Sequence, residues 1–293
     1  MRATHSLSPS LCVALLLGCS TESIKPSGVR GDAGTVDPHH CEGPGYYGET
    51  PKVNVVHISA TVVDENGNPV PDMWAYACGT DLCIKGGTDE SGIVVIDTDS
   101  QQQKPAFKYG DGRTHAKFAL LLGSESPINV DLGEQRTVAF ARAASDTELA
   151  PGLTASSLGV ELRLAADANP VEPDPFDYDT DDRRKFRAAA VSTENAPAAV
   201  DASLGFGMLY ALTPSGTELC PRAALTVPNS ANFPAGSAVE VFLHGIEVLE
   251  SWAPYGGWAK VSDGVVSEDG KTVSTTEGGG LPALSVIGIR LAP

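Results

Sequence analysis

The chain has 293 residues, 42% of them apolar, with 20 basic against 37 acidic side chains and a formal net charge of −17. That length gives room for about two domains with proper cores, and the acidity excludes a role built on holding nucleic-acid phosphates. Its 31 glycines and 21 prolines suit β-rich domains with many tight turns better than helical bundles.

Residues 1–18 read as an export signal. Arg2 supplies a positive start, the run from Leu11 to Gly18 is apolar, and that run is too short to span a bilayer as a helix. It ends in Leu16-Leu17-Gly18-Cys19, which resembles the lipobox of bacterial lipoproteins. The resemblance implies cleavage before Cys19, diacylation of its thiol and acylation of the new amino terminus; several acyl chains give stable anchoring where one does not. An ordinary secretory signal cut nearby is the alternative. Residues 19–50 are polar and rich in Gly, Pro, Ser and Thr, with no periodic apolar face, as in a flexible tether.

With Cys12 in the signal and Cys19 as the lipid site, Cys41, Cys78, Cys83 and Cys220 remain. An even count in an exported chain points to two disulfides with three connectivities open. One of these closes the short Cys78–Cys83 loop and leaves Cys41 to join Cys220. His39, His40 and Cys41 could start a zinc set, but no second matching half follows, so no metal is expected.

Along the chain, "VVHISATVV" (55–63) alternates, with Val56, Ile58, Ala60 and Val62 on one face and His57, Ser59 and Thr61 on the other. Asn66-Gly67 is a turn signal. "PVPDMWAYAC" and "GIVVID" (92–97) are the next strands, and "PAFKYGDGRTHAKFALLL" is a hairpin about Asp111-Gly112 with Ala116, Phe118, Leu120 and Leu122 on one face. Short strands at this spacing predict an antiparallel sandwich over 51–147. Asp64, Gly67, Pro69, Val70, Thr88, Asp89 and Gly92 resemble the pattern of the carboxypeptidase regulatory-like family of small β-sandwiches. That resemblance implies an accessory module without catalytic residues.

Residues 142–185 are small, polar, then proline-rich and acidic, which sets a domain boundary near 148 and a surface loop over 167–185. Strands return from 186. Ala224-Leu225-Thr226-Val227-Pro228, Ala235-Gly236-Ser237-Ala238-Val239, Trp252 and Ser267 to Val273 resemble ZU5-like domains, again implying a β-sandwich (148–293) and no activity. Asp263-Gly264 and Asp269-Gly270 are read as turns.

Two stretches invite a functional reading. "SWAPYGGWAK" (251–260) carries Trp252, Tyr255 and Trp258, and its proline and glycines forbid a helical stripe. The rings either cap the core or present flat faces to a sugar or peptide; capping is favoured, with Trp258 on the wetter side of its strand. Asp174, Asp177, Asp179, Asp181 and Asp182 have the spacing that begins a calcium loop. Asp182 stands where the turn glycine belongs and Ala188 where the closing glutamate belongs, so a solvated loop is expected. No nucleophile elbow, metalloprotease helix or phosphate loop is present in the sequence, and His57, His115 and His244 sit at polar-face or turn positions.

The expectation is an all-β chain of two antiparallel, Ig-like sandwiches behind a signal and tether. Its role would be non-enzymatic display, scaffolding or adhesion at the bacterial cell envelope, at the outer membrane or cell surface, without cofactor. Its partners would be the membrane through the lipid and an envelope glycan or protein, not nucleic acid. A carbohydrate- or peptide-binding module using Trp252, Tyr255 and Trp258 is the first alternative, and a divergent hydrolase or metal-dependent enzyme the second.

Overall fold

The computed structural model describes residue 41 and residues 43–141, 147–170, 185–246 and 251–293. Cys19, His39, His40 and the acidic run 174–182 lie outside the described residues.

The chain is all-β. The first half supplies β1 (Lys52–Val63), β2 (Trp74–Cys78), β3 (Cys83–Gly87), β4 (Ile93–Gln103), β5 (Ala106–Tyr109), β6 (Phe118–Leu121) and β7 (Ile128–Arg136). They form a three-stranded sheet, β4-β1-β7, facing a four-stranded one, β3-β2-β5-β6. Val53, Val55, Ile58, Ala60 and Val62 of β1 meet Ala75, Ala77, Phe107, Tyr109 and Phe118 across the gap. Within the stack, the Phe107, Tyr109 and Phe118 rings follow one another at 5.3 and 5.7 Å.

Two details depart from simple alternation. Alternation places Val56 on the inward face, but it is only half-buried; the register slips between Val55 and His57, so Val55 and Ile58 are the inward pair. The sheet is also not purely antiparallel, because β7 runs parallel to β1. The chain leaves β6 in one sheet and crosses to the other before β7 begins, which sets the parallel direction.

The glycines of the motif close two turns of the same design. Asp64 accepts the backbone N–H of Asn66 and Asn68, and Asp89 accepts those of Ser91 and Ile93. Gly67 and Gly92 take φ values of +84° and +73°, in the left-handed region.

The second half supplies β8 (Thr147–Glu148), β9 (Thr154–Ser157), β10 (Val160–Arg163), β11 (Lys185–Val191), β12 (Met208–Thr213), β13 (Glu218–Pro228), β14 (Ala238–His244), β15 (Trp258–Val266), β16 (Thr272–Thr275), β17 (Leu281–Ala283) and β18 (Val286–Leu291). All belong to one eleven-stranded sheet. It curls until its ends meet: the Ala188 N–H on β11 donates to Ser157 Oγ on β9 at 3.1 Å. Leu162, Phe186, Leu212, Leu225, Val241 and Ile289 fill the interior.

Asp263-Gly264, read as a turn, lies inside β15, opposite Glu240 and Val239 of β14. The glycine is there for close approach. A Cβ at 264 would stand 2.8 Å from Ser274 O and 2.9 Å from a Val239 methyl. Asp269-Gly270 does turn the chain, with Gly270 at φ +71°.

Among the described residues every strand ladder lies within 52–136 or within 147–291. The apolar core does not divide that way. Met208, Tyr210 and Leu212 of β12 point into the second sheet's interior, while Leu209 and Ala211 point into the first sandwich. Ala189 and Val191 of β11 and Val286 of β18 do the same. Strands buried on both faces read as unbroken apolar runs, which is why "MLYAL" shows no alternation. Pro38–Pro293 accordingly forms one compact unit.

Candidate functional site

The loop before β15 is held by its own backbone. Gly245 N–H donates to Gly257 O at 2.9 Å, and Gly256 N–H returns a bond to Gly245 O at 2.7 Å. Gly256 has φ +68°, and a Cβ there would stand 2.7 Å from Leu121 Cγ, so the loop lies tight against β6.

This docking sends the three rings to three places. Trp252, 7% exposed, joins the second sheet's core under the Arg222 guanidinium, 5.1 Å from its ring. Its indole N–H finds no hydrogen-bond partner among the described residues. Tyr255, 1% exposed, crosses to the first half, packs on Cys78, Ala106 and Ala119, and donates its hydroxyl to Cys78 O at 3.3 Å. Trp258 is half-buried between the His244 ring at 4.8 Å and the Phe206 ring at 4.9 Å, and its N–H donates to Ala199 O at 2.9 Å. The three rings do not share one open surface, because Gly256-Gly257 let the chain sink between the halves. A shallow recess of about 290 Å³ is lined by Trp258 with Leu121, Leu204 and Asp201, and neither Trp252 nor Tyr255 reaches it.

Among the described residues, His57, His115 and His244 each hold a side-chain hydrogen bond within the fold. His244 is 1% exposed, and burial drives its pKa down to about 4 against the pull of its two backbone hydrogen bonds. Its Nε2 accepts the Ala119 N–H at 3.2 Å, so Nδ1 carries the proton donated to Gly257 O at 3.0 Å. His57 Nδ1 lies 2.7 Å from Asp97 Oδ1 on the outer face of the first sheet. His115 ends the Asp111 turn, and burial lowers its pKa, against the opposing charges of Asp111, Glu65 and Asp64. No group of His, Cys, Asp or Glu that could hold a metal is found among the described residues.

The cysteines pair as Cys41–Cys220 and Cys78–Cys83. The first joins the end of the tether to β13; the second closes the β2–β3 hairpin.

The register Tyr76–Lys108–Ala119 across β2, β5 and β6 puts alternate residues of these strands on the face turned away from the first core. At one end of that face Tyr255 covers Cys78, Ala106 and Ala119. At the other is a recess of about 190 Å³ lined by Trp74, Tyr76, the Cys78–Cys83 disulfide, Lys108, Asp111 and Lys117. Lys108 and Lys117 are 9% and 4% exposed. The signal in the sequence is a lysine inside an apolar strand, in "AFKY" and in "HAKFALL".

No family model matches the chain, and no curated protein matches it. Among solved structures, the full-length major pilin SpaD from Corynebacterium diphtheriae is similar over 80% of this chain and 55% of its own, at 9% identity and a TM-score of 0.21. The chain thus spans about half of the pilin's length. A likeness at that level carries no argument, and the all-β assignment rests on the strand ladders themselves.

Proposed function

We propose that the chain is an exported, lipid-anchored envelope protein whose work is presentation: it displays a rigid double-sandwich body, scaffolding or adhering without catalysing. The observation that carries this reading is the pair of disulfides. Such bonds persist in oxidising compartments outside the cytosol, and Cys41–Cys220 clamps the start of the folded body where the tether would arrive. Two further facts support it. The His244 and Tyr255 contacts join both halves into one body, and the described histidines His57, His115 and His244 hold hydrogen bonds within the fold. The carboxypeptidase regulatory-like and ZU5-like resemblances are part of the same proposal, supported by the matched Asp64 and Asp89 turns. No helix among the described residues is long and apolar enough to cross a membrane; the proposed attachment at Cys19 rests on the lipobox resemblance of Leu16-Leu17-Gly18-Cys19.

The test is expression in a Gram-negative host with radiolabelled palmitate. The parent chain is expected to take up label and enter the detergent phase, and Cys19→Ser to lose both. Label retained in Cys19→Ser, or a parent that stays aqueous, would overturn the anchor. Reactive thiols at Cys41 and Cys220 in the purified protein would overturn the compartment.

A further inference from the structure

We propose that the shallow recess walled by β6, the 198–204 segment and the start of β15 docks a basic side chain, with an aliphatic neighbour, from a partner polypeptide. This deepens the adhesive reading by naming what would be held. It needs no lipid anchor, so the palmitate test and the titration below can fail separately.

The recess has a volume of about 290 Å³, and Leu120 and Leu121 of β6, Ala199, Leu204 and Trp258 give it an apolar surface. Leu121 is 46% exposed, whereas Phe118 of the same strand is fully buried. A large aliphatic side chain left in water beside an indole gains by being covered. The volume lies at the low end of ligand sites, and a shallow recess encloses little of a free small molecule. It suits a side chain carried in by a larger body, as the anchors of protein interfaces are.

These walls are fixed in advance. Trp258 N–H donates to Ala199 O at 2.9 Å, which ties the 198–204 segment to β15. Gly256 N–H donates to Gly245 O at 2.7 Å, and the absent Cβ at 256 lets that loop lie against Leu121. A partner therefore meets a formed recess, and less ordering entropy is lost in closing on it.

Charge selects which side chain enters. Asp201 is the one charged residue among the described lining residues. Its Oδ1 accepts the Ser203 N–H at 2.9 Å, and the Ser203 hydrogen bonds hold the carboxyl below the usual carboxylate range, so it is ionised at neutral pH. Arg290 reaches Leu204 O through Nη1 at 3.0 Å, but its charge is met by Glu240, at 2.9 Å from Nε and 2.8 Å from Nη2. The net charge of −17 draws cationic partners from a distance. A lysine or arginine meets both demands, its methylene stem lying on the leucines and the indole and its head at Asp201. An aliphatic neighbour then covers Leu121.

The experiment is fluorine NMR of the full chain labelled with fluorotryptophan, whose three tryptophans give three signals; Trp258→Phe serves only to assign one of them. The probe is acetyl-Leu-Lys-Leu-amide, beside acetyl-Leu-Glu-Leu-amide with the charge reversed, acetyl-Gly-Lys-Gly-amide without aliphatic neighbours, and hexylammonium as a free amine. The first is expected to move the Trp258 signal saturably, to leave those of Trp74 and Trp252 in place, and to bind more tightly than the other three. Asp201→Asn, which keeps a capping side chain for Ser203, should weaken it about threefold. Leu121→Ser, at an exposed position, should weaken it about fivefold. Ala198→Tyr, also exposed, should fill the recess and abolish the shift. Absence of a saturable Trp258 shift at millimolar probe overturns the proposal. So does equal or tighter binding of any of the three controls, an affinity of Asp201→Asn or Leu121→Ser equal to that of the parent, or a shift that survives in Ala198→Tyr.

Discussion

His244 of β14 accepts the backbone N–H of Ala119 of β6 through Nε2 at 3.2 Å, a buried hydrogen bond between residues 125 positions apart. It ties the curled second sheet to the outer face of the first sandwich. Because Nε2 must stay unprotonated to accept, the bond has a built-in pH limit.

That limit gives the first prediction. The unfolded chain takes up the His244 proton near pH 6.5, the folded chain only near 4. Protons therefore favour the unfolded state across that window. The contribution is full above pH 6.5 and fades as pH falls toward 4, by about 3 kcal/mol at most. His115, also lowered, acts in the same direction. Urea melts at pH 7.5, 6, 5 and 4.2 are expected to show this fall. His244→Phe, less stable at pH 7.5, should show a shallower slope; an unchanged slope would refute the assignment.

Tyr255 separates packing from hydrogen bonding at the same seam. Tyr255→Phe keeps the ring but loses the bond to Cys78 O, at a cost of about 1 kcal/mol. Tyr255→Ala opens a cavity among Cys78, Ala106 and Ala119 and is expected to cost roughly 3–5 kcal/mol. Chemical denaturation of both variants checks the ratio. Equal effects would mean the ring contributes nothing by filling space.

The two aspartate turns share their hydrogen bonds and φ angles, yet they should tolerate alanine differently. At Gly67 an added Cβ meets nothing within 4 Å, so Gly67→Ala carries only the left-handed strain, about 1 kcal/mol. At Gly92 the Cβ would stand 2.5 Å from Val62 O, a clash with backbone of β1. Gly92→Ala is expected to lose at least twice as much in melting experiments as Gly67→Ala.

The disulfides differ in the chain they close. Cys41 and Cys220 are 179 positions apart, Cys78 and Cys83 only 5. Loop-closure entropy assigns roughly 5 kcal/mol to the long link and roughly 2 to the short one. Paired serine variants, compared by guanidinium denaturation, should keep that order; a reversal would show that the hairpin link is the stronger staple.

The class of fold was legible because its marks are local. The Asp64 and Asp89 turns, the inward face of the Phe118 strand and the even cysteine count each depend on a few neighbouring residues. Misread positions depended on contacts between distant segments. Val56 looked inward until the bulge beside it was fixed by pairing with β4 and β7. Gly264 looked like a turn because a glycine that admits a close neighbour and one that bends the chain are the same letter. Trp252, Tyr255 and Trp258 are close in sequence, but the docked loop distributes them among separate cores.

The Cys41–Cys220 bond also determines where a mechanical load enters. On the proposed anchor, tension arriving at Cys41 passes through the sulfur atoms into β13, between β16 and β10 of the curled sheet. It bypasses β1, the strand that would otherwise be unzipped first. Under the proposed display, the load is thus carried by a strand paired on both sides, and the amino-terminal sandwich is spared.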